Sequence, residues 1–161
     1  MSKMDVPLKA GKLRVAFILA PHFTLVAFSA FVDTLRLAAD EGDRSRQIQC
    51  AWTVLSHNMR PIRASCGVEV MPTAELDDPR HYDYVVVVGG LLNGPPMATP
   101  LLDYLRLAAS HGVPLVALCV GSFILARLGL LENRRCCVSW FHHAEFEALF
   151  PHLESSSEDL F

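Results

Sequence analysis

The sequence predicts an α/β domain built on a mostly parallel sheet. Strand-like and helix-like segments alternate from Leu13 to the C-terminal region, the pattern of strand–crossover–strand units. The strand segments are near-continuous apolar runs, as in strands covered on both faces, and do not alternate in the manner of half-solvated antiparallel ones. With 161 residues, 52% hydrophobic and 19% charged, the chain has the material for one well-filled core and too little length for two.

In chain order, Leu13 to Ala20 (Leu-Arg-Val-Ala-Phe-Ile-Leu-Ala) reads as an interior strand closed by Pro21. From Thr24 to Asp40 the polar residues Ser29, Asp33, Arg36 and Asp40 recur at steps of four, three and four. That spacing places them in one stripe of a helix, where Asp33, Arg36 and Asp40 pair along the surface. Val26, Phe28, Phe31, Val32 and Leu35 are expected to be buried. A second stripe, Ala27, Ala30, Thr34 and Ala38, is small enough for another backbone to approach closely. It fits either tight packing on the sheet or a helix-to-helix contact between subunits.

Glu41 to Gln49 reads as a charged linker and Cys50 to Ser56 as the second strand. Pro61 to Met71 holds two short alternating pieces around Cys66-Gly67, a small hairpin. Asp83 to Val88 is a third strand, followed by Gly89-Gly90, where a ligand or another loop can come close to the backbone. Asn93 to Pro96 is a loop and Pro100 to His111 an amphipathic helix, with His111 at its end, where a positive charge suits the dipole. Arg135 to Ser139 is a short strand and Phe141 to Leu149 a short helix stopped at Phe150-Pro151.

Between these lies Pro114 to Leu131, an apolar run that meets Cys119-Val-Gly121 and then takes on helical periodicity. Leu115 to Leu118 reads as a buried parallel strand and Gly121 as the residue that relieves the turn. Phe123, Ile124, Ala126 and Leu128 form a short helix ended at Gly129. Cys119 thus sits on a strand-to-helix elbow, at the carboxyl end of the sheet where open α/β folds place ligands.

Composition narrows the function. A formal net charge of -3 without a Lys/Arg cluster argues against a nucleic-acid-binding surface in this segment. No apolar run reaches the ~20 residues of a membrane span, and Met1 to Asp5 opens no signal-peptide core, so a cytoplasmic protein without membrane contact is expected. Five cysteines (Cys50, Cys66, Cys119, Cys136, Cys137), an odd number without C-x-x-C spacing, fit free thiols in a reducing compartment. The neighbours Cys136 and Cys137 face opposite ways on a strand and do not readily share a metal. No metal or cofactor is expected.

Gly89-Gly90, the segment Ala117 to Arg135 with its Ala-Arg-Leu-Gly-Leu-Leu, Val138-Ser-Trp-Phe141, and Phe23 to Ala39 together resemble the ThiJ/PfpI, class I glutamine amidotransferase-like superfamily. More narrowly, they resemble the N-terminal domain of GlxA-type members of the AraC family of transcription regulators, over about residues 12 to 161. The resemblance implies a flavodoxin-like three-layer sandwich, with residues 1–11 a flexible N-terminus. It also implies a last strand and helix beyond Phe161, and a downstream helix-turn-helix domain through which alone DNA would be bound. The protein is then expected to sense a small-molecule effector, to form a homodimer, and not to be an enzyme. Several such relatives sense nitrogenous metabolites such as quaternary amines or arginine.

The alternative is a cysteine enzyme of the same superfamily: a hydratase, amidase or deglycase-like protein. Cysteine catalysis needs a thiolate, a group to move the proton and donors for an oxyanion. The resemblance places a carboxylate of the enzymes at Ala27, and a histidine at Val120 or Ser139; none of these three handles a proton. His142 and His143 stand close by as substitutes, although an exposed polar role on a first helical turn is expected for them. No catalytic residue is therefore assigned. Cys119 is left as a ligand contact, a small filler at a tight turn, or a nucleophile, in that order. The expected ligand-binding residues are Phe23, Thr24, Gly90, Leu91, Cys119, Val120 and Trp140, a mainly apolar set in which Trp140 can stack on a cation.

Overall fold

The structure is a computed structural model that describes residues 11–40 and 42–158. Of the stretch expected to be flexible, residues 1–10 lie outside the described residues, and Gly11 is exposed. The chain runs β1 (Leu13–Leu19), α1 (Leu25–Ala39), β2 (Cys50–Ser56), β3 (Ile62–Arg63), β4 (Glu69–Val70) and β5 (Ala74–Glu75). After a 3₁₀ turn at Pro79–His81 come β6 (Tyr84–Val88), α2 (Thr99–Ser110), β7 (Leu115–Leu118), α3 (Gly121–Arg127), β8 (Cys136–Cys137), α4 (His143–Leu149) and β9 (Ser155–Ser156).

Five strands form the central sheet in the order β5-β2-β1-β6-β7, all parallel. Phe17 of β1 pairs with Val54 on one side and Val86 on the other, and Val87 pairs with Ala117. The continuous apolar runs of β1 and β6 are what such a centre requires, because each successive side chain meets a different covering layer. On one face Val15, Phe17, Leu19, Val86 and Val88 pack with Phe28, Phe31 and Leu35 of α1. The Phe17 ring meets Phe28 and Phe31 edge-on at 5.3 and 5.7 Å. On the other face Ala16, Ile18, Val85 and Val87 lie under Leu101, Leu105 and Ala108 of α2 and Leu125 of α3. Each fully buried Leu, Ile, Val or Phe contributes about 1.5–3 kcal/mol of transfer free energy. The two faces together are the main stabilising element of the three-layer sandwich.

A third cluster ties the C-terminal region to the elbow: Val120, Phe123 and Ala126 pack with Val138, Phe146, Phe150 and Leu153. Phe123 and Phe146 meet edge-to-face at 5.0 Å. The expected hairpin is the antiparallel pair β3–β4, and the short strand at Cys136 pairs in parallel with Ser155. Cys136 is half-buried against the third cluster while Cys137 is exposed, as alternation on a strand requires. Strands β5 and β9 and the 3₁₀ turn are additions to the expected element order.

Three expectations are corrected. Val26 is 70% exposed, not buried. Of the Ala27, Ala30, Thr34 and Ala38 stripe, only the half-buried Ala27 packs against the sheet-side core; Ala30, Thr34 and Ala38 are exposed. The reason is the direction in which α1 faces. Its bulky residues Leu25, Phe28, Val32 and Leu35, with the buried Ala39, turn to the sheet, and at ~100° per residue the small residues fall on the flank. The polar stripe holds as expected, with Arg36 3.2 Å from Asp33 and 3.8 Å from Asp40. Finally, β7 is parallel but stands at the sheet edge, so Leu115 to Leu118 are half-buried.

Candidate functional site

Strands β1, β6 and β7 end at one level, where a net of backbone hydrogen bonds holds their loops together. Ala20 N–H donates to Val88 O, Thr24 N–H to Gly89 O and Gly89 N–H to Leu118 O, each at 3.0 Å. The glycines are required by proximity. A Cβ on Gly89 would lie 2.2 Å from Gly121 N and 2.3 Å from Val120 C, and one on Gly90 would lie 2.4 Å from His22 O. The elbow therefore rests directly on the β6 backbone. Here the structure corrects the expected source of the turn: Cys119 itself, not Gly121, takes the left-handed conformation, with φ 54°. Gly121 is needed because a side chain there would lie 2.6 Å from Val87 O. A non-glycine residue in that region costs on the order of 1–3 kcal/mol, and strain of this kind concentrates at functional sites.

The strained turn leaves Cys119 exposed at the strand ends. Its side-chain hydrogen bond, among the described residues, is to Thr24, whose Oγ1 lies 3.2 Å from Sγ. Thr24 is the N-cap residue of α1 but makes no side-chain cap. A threonine at that position ordinarily turns its hydroxyl onto the helix N–H groups; here the hydroxyl meets the thiol.

The remaining expected residues separate into levels. Gly90 is packed on the Pro21–His22 backbone beside Thr24. Phe23 is fully buried in the α1-side core, its ring edge-on to Phe28 at 5.8 Å. Val120 is buried in the third cluster. These two lie beneath the surface, under Thr24 and Cys119. Leu91 and Trp140 are 58% and 79% exposed, and Trp140 packs edge-on against Phe141 at 5.8 Å. A cavity of about 300 Å³ lies elsewhere, on the flank of α1 between Ala27, Ala30, Phe31, Thr34 and Leu35.

Proton-handling groups are the decisive comparison for this chemistry. Ala27 lines the α1 flank and carries no polar atom. His142 and His143 are half-buried, a correction of the exposed role expected for them: His142 lies against Phe123 of the third cluster and His143 against Ser155 of β9. His142 meets Phe141 at 4.8 Å and Phe123 at 6.1 Å, edge-to-face in both cases, with Glu145 3.7 Å away. His143 Nε2 meets Ser155 Oγ at 3.1 Å and Glu147 at 3.8 Å. Both imidazoles thus have partners of their own, in α3 and α4 for His142 and in α4 and β9 for His143. His111 caps the end of α2, as expected.

Two of the other thiols are drawn into packing. Burial pushes Cys50 and Cys136 up from the ordinary thiol range, and Cys137 adds to the effect at Cys136. Cys136 Sγ donates to Glu154 O at 3.5 Å. Among the described residues no three His, Cys, Asp or Glu side chains converge to hold a metal ion.

The strand–Cys119–helix elbow resting on a glycine-backed strand is matched over residues 13–150 by the DJ-1/PfpI family model. The chain belongs to the DJ-1/PfpI family. Within this family it is similar to the HTH-type transcriptional regulator GbdR of Pseudomonas aeruginosa, 32% identical over 143 residues, covering 89% of this chain and 38% of GbdR. It also resembles the isonitrile hydratase of Pseudomonas putida, 27% identical, covering 81% of this chain and 54% of that enzyme. Among solved structures, an AraC family transcriptional regulator from Pseudomonas putida superposes with a TM-score of 0.69 at 28% identity, covering 90% of this chain and 76% of that one. This DJ-1/PfpI domain thus spans well under half the length of the regulator it matches. Among the described residues no helix is long and apolar enough to cross a membrane.

Proposed function

We propose that this DJ-1/PfpI domain is the effector-sensing and dimerising part of an AraC-type transcription regulator, and that it binds a small nitrogenous metabolite at the Cys119 elbow without turning it over. The observation that carries the reading is the company Cys119 keeps. The backbone is strained to present the thiol, yet the side chain bonded to it is the Thr24 hydroxyl, while His142 and His143 meet partners of their own. A general acid or base contributes typically 10²–10⁴-fold to such reactions. A thiol bonded to a neutral alcohol lacks that contribution and is suited to contact.

In this reading Thr24, Gly90 and Cys119 form the polar centre of the site and Leu91 and Trp140 its exposed apolar rim. Phe23 and Val120 support it from below. DNA is contacted through a helix-turn-helix domain downstream, and a last strand and helix of the sensing domain follow Phe161. The edge position of β7 and the share of GbdR that is matched support that arrangement. The protein works in the cytoplasm. Two copies associate through the α1 flank, which is apolar at Val26 and Leu37 and small at Ala30.

Thermal-shift titration with quaternary amines, arginine and other amino acids tests the sensing reading. A ligand at ~100 times its Kd stabilises by about 2.7 kcal/mol, on the order of 5–10 °C in Tm for a domain of this size. The shift is expected to vanish in Cys119→Trp, which fills the elbow, and to survive in Cys66→Ser. A shift unchanged in Cys119→Trp would remove the site from the elbow.

A second reading, a cysteine hydratase, is favoured by the similarity to isonitrile hydratase together with the strained elbow. It requires Cys119-dependent turnover.

A further inference from the structure

We draw no further inference here: the strongest candidate, the apolar flank of α1 formed by Val26, Ala27, Ala30, Thr34 and Leu37 with its shallow groove, offers room for a packed helix, but beyond the subunit contact already proposed nothing in the structure shows what covers it.

Discussion

Replacing Gly89 with alanine probes the contact on which the elbow depends. The new Cβ would sit 2.2 Å from Gly121 N and 2.3 Å from Val120 C, where ordinary contact begins near 3.4 Å. Both are backbone atoms, so no side-chain rotation relieves the overlap; β6 and the elbow must move apart. That movement breaks the Gly89–Leu118 and Thr24–Gly89 hydrogen bonds and disturbs the packing of Val120 in the third cluster. Overpacking costs typically ~1–3 kcal/mol even where side chains can yield. With rigid backbone on both sides the loss should exceed about 4 kcal/mol, out of the ~5–15 kcal/mol that holds a domain together. Urea unfolding followed by circular dichroism reads this directly: at a slope of ~2 kcal/mol/M the midpoint falls by about 2 M or more. Gly129→Ala is the matched control. Gly129 has φ 69° with nothing within 4 Å of its added Cβ, so only backbone strain, about 1–2 kcal/mol, is expected. A Gly89→Ala midpoint equivalent to less than 1 kcal/mol of loss, or equal losses in the two variants, would refute the close contact between β6 and the elbow.

Two other substitutions test separate parts of the account. Ala30→Trp places a large ring on the exposed flank of α1; the fold should survive, and light scattering should show the mass falling from dimer to monomer. A folded variant with unchanged mass would exclude α1 as the subunit contact. Tyr104 is 5% exposed and its hydroxyl has no hydrogen-bond partner among the described residues, which normally carries a penalty of ~1–3 kcal/mol. Tyr104→Phe should therefore raise Tm by about 2–4 °C per kcal/mol regained. A fall in Tm would show that the hydroxyl is bonded in solution.

The layered fold was legible in the sequence because β1 and β6 are long, continuous apolar runs and α1 and α2 carry helical periodicity. Strand β5 was not legible: it has two residues, Ala74 and Glu75, which pair with Leu55 and Ser56, and no period exists in so short a segment. The flank of α1 was misread for a different reason. Periodicity shows that small residues share one side of a helix, but which side meets the sheet is decided by Phe28, Val32 and Leu35 filling the space below. At the site, Cys119 was recognisable as a corner residue, and Thr24 as its neighbour at the strand ends. Their 3.2 Å contact joins residues 95 positions apart, which no local pattern encodes. Sequence alone points to Gly121 as the strained residue because glycine relieves a turn most cheaply, whereas packing against Val87 O fixes glycine there and leaves the left-handed conformation to Cys119. A helix start implies exposure for His142 and His143; the contact with Phe123 draws His142 inward and Ser155 covers His143.

The central claim, that the elbow binds and does not catalyse, is tested most directly by measuring the hydration of an isonitrile by wild-type protein and Cys119→Ser side by side. Both rates are expected to stay at the buffer background, because the Thr24 hydroxyl beside Cys119 does not supply a general base. A wild-type rate well above that background and abolished in Cys119→Ser would contradict it and establish the protein as a cysteine enzyme.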